Sequence, residues 1–452
     1  MRSPTTNVAH GWRYGLRLGM AVTVAACGLL PLPSAPAAAA PPPVRPPKFP
    51  TIAYVANSCP GIFDDGAVTR LDTATNTVAG HTPAGGCPAA IALNPDGDRA
   101  YVANLAREGK DAILVMSTIS NGVLDAIEVD HGPAGLAVTP DGAQVYATVY
   151  DTYDLSHNKV LAIDARTESV SATIPIAGNP GPVAVDHAGR WALVGVGPGA
   201  DGTFPNLTVV NTRTNAIART IPLPATPRAI AVHPLLHRAY VTGNYWDSGQ
   251  VSVIDTATGG LLRSIPVSGA PMGVAVSDDG TRAYVATLSE RGESALTVID
   301  TAGNAVTAGI TIPDYRRPIG VALSHDGRTA YVTTTTGKSD AVVVIDTAHR
   351  SVTATIDVGT GLEEANTQNI AVGRLIRSHA HLPPGKPRPG KPGKPGRAGE
   401  SGQVEAGPAM AADVLGPPPP PVGRGSVRTP RGTGGPLRKA VAGRAGGWAT
   451  SR

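Results

Sequence analysis

Between Thr51 and Gly373 the chain reads as short runs in which apolar and polar residues alternate, and each run is closed by Gly, Pro, Asn or Asp. The stretch Arg238 to Gly280 shows the unit: AYV, VSVID, LLRSIPV and MGVAV, after which Arg282-Ala283-Tyr284-Val285 opens the next copy. A period of two between turn formers predicts β-strands, four to a unit. The second strands align at Tyr54, Tyr101, Tyr146, Trp191, Tyr240, Tyr284 and Tyr331, at spacings of 47, 45, 45, 49, 44 and 47 residues. Four strands at that period make the blade of a propeller, whereas leucine-rich or ankyrin arrays need helical patterns that the chain lacks.

The innermost strands obey a narrower rule. They read IAL at Ile91, LAV at Leu136, VAV at Val183, IAV at Ile230, VAV at Val274, VAL at Val321 and IAV at Ile370, with alanine in the middle each time. Alternation turns that alanine to the face opposite its neighbours, where crowding near a ring axis sets small side chains against large ones. The first repeat opens at its second strand, TIAYVAN, and the last copy stops after Asn369-Ile370-Ala371-Val372. The array therefore lacks one strand at the front and has one over at the back. The expected fold is all-β, a seven-bladed β-propeller of four-stranded antiparallel blades, with the C-terminal strand pairing beside Ile52 to Ala56 so that two sheet edges disappear. Most third strands end in Asp or Asn before a turn, as in DTATN, DARTE, NTRTN and DTATGG. Capping of the turn backbone explains those side chains without any catalysis.

Composition agrees: 54 Gly and 43 Pro in 452 residues with 4% aromatics disfavour a helical protein. Charge divides the chain further. Residues 1–50 hold five basic and no acidic side chains and residues 378–452 hold twelve basic against three acidic, which leaves the repeats near −10 out of a formal net +4. A folded surface of that sign speaks against nucleic acid. Arg13 and Arg17, the apolar run Leu18 to Leu32 and the small residues Ser34 to Ala40 read as a signal peptide over residues 1–40. Pro31, Pro33 and Pro36 break the run before it reaches the length of a membrane span. Val24-Ala25-Ala26-Cys27 also resembles a lipobox, in which Cys27 would carry the lipid and tie the protein to a membrane. Both readings put the mature protein outside the cytoplasm, secreted or at the cell surface. A Pro-rich spacer over 41–50, the propeller over 51–377 and a basic, disordered Pro/Gly-rich tail over 378–452 complete the expected organisation. The tail's charge suits an anionic wall polymer or lipid, or solvent alone.

With Cys27 removed or lipidated, Cys59 and Cys87 remain, and a pair in an exported chain predicts a disulfide. It would close a loop of about 28 residues, worth on the order of 3 kcal/mol in the chain-entropy account.

Several repeated elements resemble the YVTN family of β-propeller repeats: AYVAN at 53–57 and 100–104, AYVTGN at 239–244, VSVIDTATGG at 251–260, VTATIDVG at 352–359, and the NPDG, TPDG and SHDG turns. The resemblance spans about 320 residues. It implies an exported protein, surface-layer proteins among its relatives, and a fold similar to that of lactonases and of the propeller subunit of amine dehydrogenases. The motif residues are structural, so a scaffold carries over and no catalytic residue does. The fourth repeat departs most, with RWALVGVGPGADG in place of AYVTN.

Turns after the first and third strands are short and alike, whereas the loops after the second and fourth are longer and varied, from NSCPGIFDDG to VYDTYDLSHNK. Varied loops on a rigid ring are where binding concentrates. The residues after the recurring proline ring the channel mouth: Ala89, Ala134, Gly181, Arg228, Met272, Ile319 and Gln368. Around Arg228 and Gln368 lie Asp314, Tyr315, Arg316 and Arg317, with Tyr245, Trp246 and Asp247. Aromatic rings beside guanidinium groups suit a carbohydrate, an anion or a peptide. Asp64, Asp65, Asp151, Asp154, Asp201 and Asp247 offer oxygen to calcium if their loops converge, without EF-hand spacing. The eleven histidines follow no metal motif and no Gly-x-Ser-x-Gly elbow is present. The expectation is a monomeric, non-enzymatic scaffold without cofactor or bound metal that engages a cell-wall polymer, a protein partner or a small ligand; the alternative is an extracytoplasmic enzyme of lactonase or dehydrogenase-associated type.

Overall fold

The computed structural model describes residues 51–374 apart from 59–65, 107–108, 152, 200–201, 246–247, 289–293, 314–315, 337–338 and 360–368. The segments expected to be signal peptide, spacer and tail lie outside the described residues. Within them, twenty-eight strands form seven antiparallel four-stranded sheets. Blades two to seven use four consecutive strands each; the third blade, for instance, runs Gly132–Val138, Gln144–Tyr150, Lys159–Asp164 and Ser169–Pro175. The first blade is composite. Its innermost strand is Ile370–Arg374, paired with Thr51–Asn57 from Val55↔Ile370 to Thr51↔Arg374, and Ala67–Asp72 and Thr77–Pro83 lie outside them. Closure by the last strand is thus as the strand count predicts.

The core is a set of apolar slabs, one between each pair of neighbouring blades. Tyr101, Val115 and Ile127 of blade two meet Leu136, Ala147 and Leu161 of blade three, and Ala53, Val55 and Leu71 of blade one meet Tyr331, Val342 and Ile356 of blade seven. Middle strands are covered on both faces, so Gln144–Tyr150 is buried along nearly its whole length, while the outermost strand Ser169–Pro175 is mostly exposed. Such burial explains why second and third strands read as almost unbroken apolar runs.

Each innermost alanine has one cross-strand neighbour. Ala371 pairs with Tyr54, Ala92 with Tyr101, Ala137 with Tyr146, Ala231 with Tyr240, Ala275 with Tyr284 and Ala322 with Tyr331. The small residue is there because the tyrosine ring lies next to it. In blade four the same register joins Ala184 to Leu193. The alignment at Trp191 is therefore corrected: Leu193 takes the tyrosine's place, fully buried, and Trp191 sits two residues earlier. An aromatic was matched to an aromatic, whereas the pleat fixes position by strand pairing.

Six innermost strands bulge just after their proline, between Pro88 and Ala90, Pro133 and Leu136, Pro180 and Val183, Pro227 and Ala229, Pro271 and Val274, and Pro318 and Val321. A bulge leaves an amide unpaired. In blades three, five and seven a threonine hydroxyl accepts it, Thr148 from Gly135, Thr242 from Ala229 and Thr333 from Gly320, at 2.7 to 2.9 Å. Each hydroxyl then donates to the next blade, at Gly181 O, Met272 O and Asn369 Oδ1. The ring is stitched near its axis in this way.

Candidate functional site

On the short-turn face the carboxylates serve their own turns. Asp72 Oδ1 accepts from the amides of Ala74 at 2.8 Å and Thr75 at 3.3 Å, and Asp164, Asn211, Asp255 and Asp346 repeat the pattern. In the PDG-type turns Thr139 donates to Asp141 and Ser277 to Asp279, both at 2.6 Å, which holds those carboxyls below the ordinary carboxylate range.

The opposite face differs in blade three. His131 immediately precedes the innermost strand, and Asp151 and His157 come from the loop between the second and third strands. Nδ1 of His157 lies 3.0 Å and Nδ1 of His131 3.4 Å from the same oxygen, Asp151 Oδ2. The two imidazoles stack with centroids 4.4 Å apart at 14°. Local structure fixes all three. Asp154 caps a 3-10 turn, Leu155–His157, by accepting from Ser156 N, and the turn folds His157 back over Asp151. Asn158, buried, accepts from Asp151 N at 2.6 Å and donates to Gly178 O at 2.7 Å, anchoring the loop to blade four's entry strand. Asp151 Oδ1 takes the amide of Tyr153, so Oδ2 is left for the histidines. The hydrogen bond from His157, and then that of Tyr153, holds the Asp151 carboxyl at about 2, and the same Asp151 contact raises His157.

Beside this cluster a cleft of about 480 Å³ opens between blades two and three, floored by Val129 and Leu161 and flanked by the ion pairs Lys110–Glu128 at 2.8 Å and Lys159–Asp130 at 2.7 Å.

At the channel mouth, Arg228 follows Pro227 at the bulge of blade five and is half-buried; Arg317 opens blade seven and is exposed. Arg316, just before it, is half-buried, and its Nε and Nη1 are enclosed without a hydrogen-bond partner. Tyr245 ends the strand Arg238–Tyr245, paired with Ser248. Trp246, Asp247, Asp314, Tyr315, Gln368, Cys59 and Cys27 lie outside the described residues, as do Asp64, Asp65 and Asp201. Blade six separates the arginine of blade five from those of blade seven. Among the described residues, Asp151 and Asp154 converge with histidines. His131 and His157 went unnoticed in the sequence because no motif relates them. The available signal is that both loops of one blade on one face carry histidine or aspartate.

No family model matches the chain, and no curated protein matches it. Among solved structures it is similar to Kuenenia stuttgartiensis hydrazine synthase, at 18% identity over 64% of this chain and 95% of that one, with a TM-score of 0.53. A functionally unknown protein from Desulfotomaculum acetoxidans matches at 16% identity over 71% of this chain and 98% of that one, with a TM-score of 0.52. At these identities the likeness is one of fold.

Proposed function

We propose that the chain is an exported β-propeller that binds a cell-wall component bearing carboxylate or phosphate groups, through a local arginine contact on its loop-rich face rather than through the net charge of its acidic ring, as a monomeric binding module rather than an enzyme. The observation that carries the reading is Arg316. Two residues before the recurring proline, blades two, four, five and six have Gly86, Gly178, Ala225 and Gly269, so the scaffold asks only for a small residue there. Blade seven places an arginine instead, whose Nε and Nη1 are enclosed and find no hydrogen-bond partner among the described residues. Enclosed donors of that kind need an acceptor, and a guanidinium fork suits carboxylate or phosphate oxygens. Arg317 and Arg228 add positive charge at the same mouth, and the resemblance of the repeats to the YVTN family agrees with export. Co-sedimentation of the mature chain with purified cell walls tests this. The triple variant Arg228→Ala, Arg316→Ala, Arg317→Ala should bind at least about tenfold more weakly if these are charge-assisted contacts, and sedimentation equal to wild type would sink the reading.

The Cys59 to Cys87 bridge belongs to the same exported-protein reading. Cys87 being disulfide-bonded supports it, as does the bond from Gly66 N to Gly86 O at 2.8 Å, which ties the end of the Cys59 loop to the strand that carries Cys87. Peptide mapping under non-reducing conditions should recover the two cysteines in one linked fragment.

A further inference from the structure

We propose that His131, Asp151 and His157 form a binding site for a late first-row divalent cation, zinc foremost, with one coordination position open to solvent or to a ligand. One ligand atom from each residue lies within 4.8 Å of the other two. The separations of 3.4 and 3.0 Å from Asp151 Oδ2 to the two Nδ1 atoms bracket the edge of a zinc tetrahedron, about 3.3 Å for bonds of about 2.05 Å. Seating the ion asks for movements of only a few tenths of an ångström along those two edges.

The donor set selects the class of metal. Two imidazoles and one carboxylate suit zinc, copper, nickel or iron, whereas calcium and magnesium prefer oxygen alone. The supporting contacts are those of a prepared site. Tyr153 N occupies Asp151 Oδ1 and leaves Oδ2 to the centre. Asn158 and the 3-10 turn fix the loop. Asp154 Oδ2 stands 3.9 Å from Nε2 of His157, on the ring's far side, where a carboxylate orients a metal-bound imidazole. Lys159, the nearby cation, is paired with Asp130 rather than directed at the cluster. Two stacked imidazoles aimed at a single oxygen exceed what a hydrogen bond requires, since one ring suffices for that. The repeat does not need the first ring either: at the position of His131 the other described blades carry Gly86, Gly178, Ala225, Gly269 and Arg316. With three protein ligands and side-chain exposures of 26%, 14% and 46%, the centre is open on one side. An anionic group of a ligand on this face can complete it. The site stands independently of the wall-binding reading.

Calorimetric titration of the metal-free mature chain with zinc chloride is the test, run on wild type, His131→Ala, His157→Ala and the pair together. A background of His379→Ala and His381→Ala removes the pair of histidines closest in sequence, which lies beyond the propeller. One ion should bind per chain, each substitution should weaken binding at least about tenfold, and cobalt loading should give the intense visible bands of a tetrahedral centre. Far-ultraviolet circular dichroism and melting of each variant confirm that it folds. Zinc binding that survives the double substitution, that vanishes with His379 and His381, or that is absent from wild type would overturn the proposal.

Discussion

Replacing Arg219 with alanine should destabilise the ring between blades four and five, where blade four has no tyrosine to serve as a latch. In blade three Tyr146 OH lies 2.7 Å from Asn215 Oδ1 and 3.2 Å from Thr212 O in the next blade's outer turn; Tyr54 reaches Thr118 O and Tyr240 reaches Asn304 Oδ1 in the same manner. Blade four has Leu193 at this position and no hydroxyl to offer. Its outer strand supplies Arg219, whose Nη2 donates to Thr256 O, the counterpart of Thr212 O, at 2.6 Å, while the guanidinium stands 5.2 Å from the centre of the Trp191 ring. The turn has adapted too: the left-handed position held by asparagine in blades one, two, four and six is Gly259 here, at φ +80°, and a Cβ on it would come within 3.0 Å of Arg219 Cδ and Nε. A hydrogen bond from a charged donor contributes about 1.5–3 kcal/mol, and a partly exposed cation–π contact adds about 0.5–1 kcal/mol. Arg219→Ala should therefore cost about 2–4 kcal/mol, a fall in melting temperature of roughly 3–6 °C for a ring of about 320 residues with an unfolding entropy of about 2.1 cal/mol/K per residue. Scanning calorimetry and guanidinium unfolding with an unchanged m-value measure it. The same variant carrying Leu193→Tyr and Gly259→Asn rebuilds the latch of the other blades and should recover at least half of the loss. A melting temperature unmoved by Arg219→Ala, or a triple variant no more stable than the single one, would refute the reasoning.

Ala231→Leu should cost about 1–3 kcal/mol by overpacking, because the added atoms meet the ring of Tyr240 across the strand pair; an unchanged calorimetric melt would contradict this. Deleting residues 370–374 exposes the edge of Thr51–Asn57 and should give oligomers by light scattering, whereas removing residues 378–452 should leave a monomer with the wild-type melting temperature. The acid limb of stability should carry two signatures. Asp141 and Asp279 are lowered below 3.8 by hydroxyl donors, so their contribution is present above that value and is lost as pH falls through the lower folded one; Asp141→Asn with Asp279→Asn should flatten that limb. Burial lowers His233 from 6.5, so the folded state takes up its proton at lower pH than the unfolded chain. Its stabilisation is present above 6.5 and is lost as pH falls toward the folded value, and His233→Asn should remove that slope, as read by urea titrations at stepped pH.

The architecture was legible because it rests on local rules written many times over: the period, the alanine in the middle of each innermost strand, the Asp or Asn at most outer turns, the strand missing at one end and present at the other. Errors arose where one residue had to be placed by pairing rather than by kind. Trp191 resembles the tyrosines in type, but only the register Ala184↔Leu193 shows which side chain faces the next blade. The histidine cluster was hidden for a related reason. His157 stands six residues from Asp151, while His131 belongs to a different loop, and nothing in the spacing links them. They meet because the entry to a blade's innermost strand and the loop after its second strand reach the same face.

A near-symmetric ring gives every blade the same structural tasks, so a departure from the repeat is either compensated within the scaffold or serves something else. Blade four and the turn of blade five that it meets show the first kind: Leu193, Arg219 and Trp191 differ together with Gly259, and their contacts restore one latch. His131 shows the second. Its neighbours in the repeat are glycine, alanine or Arg316, its contacts run to Asp151 and His157, and among the described residues no blade-to-blade hydrogen bond depends on it. The two kinds separate by experiment. His131→Ala installs the residue that blade five already carries as Ala225, and the metal-free protein should melt within about 0.5 kcal/mol of wild type, as a surface change does. Added zinc should then raise the melting temperature of wild type and leave the variant unmoved. A His131→Ala protein destabilised as strongly as Arg219→Ala would make the histidine one more strut of the ring.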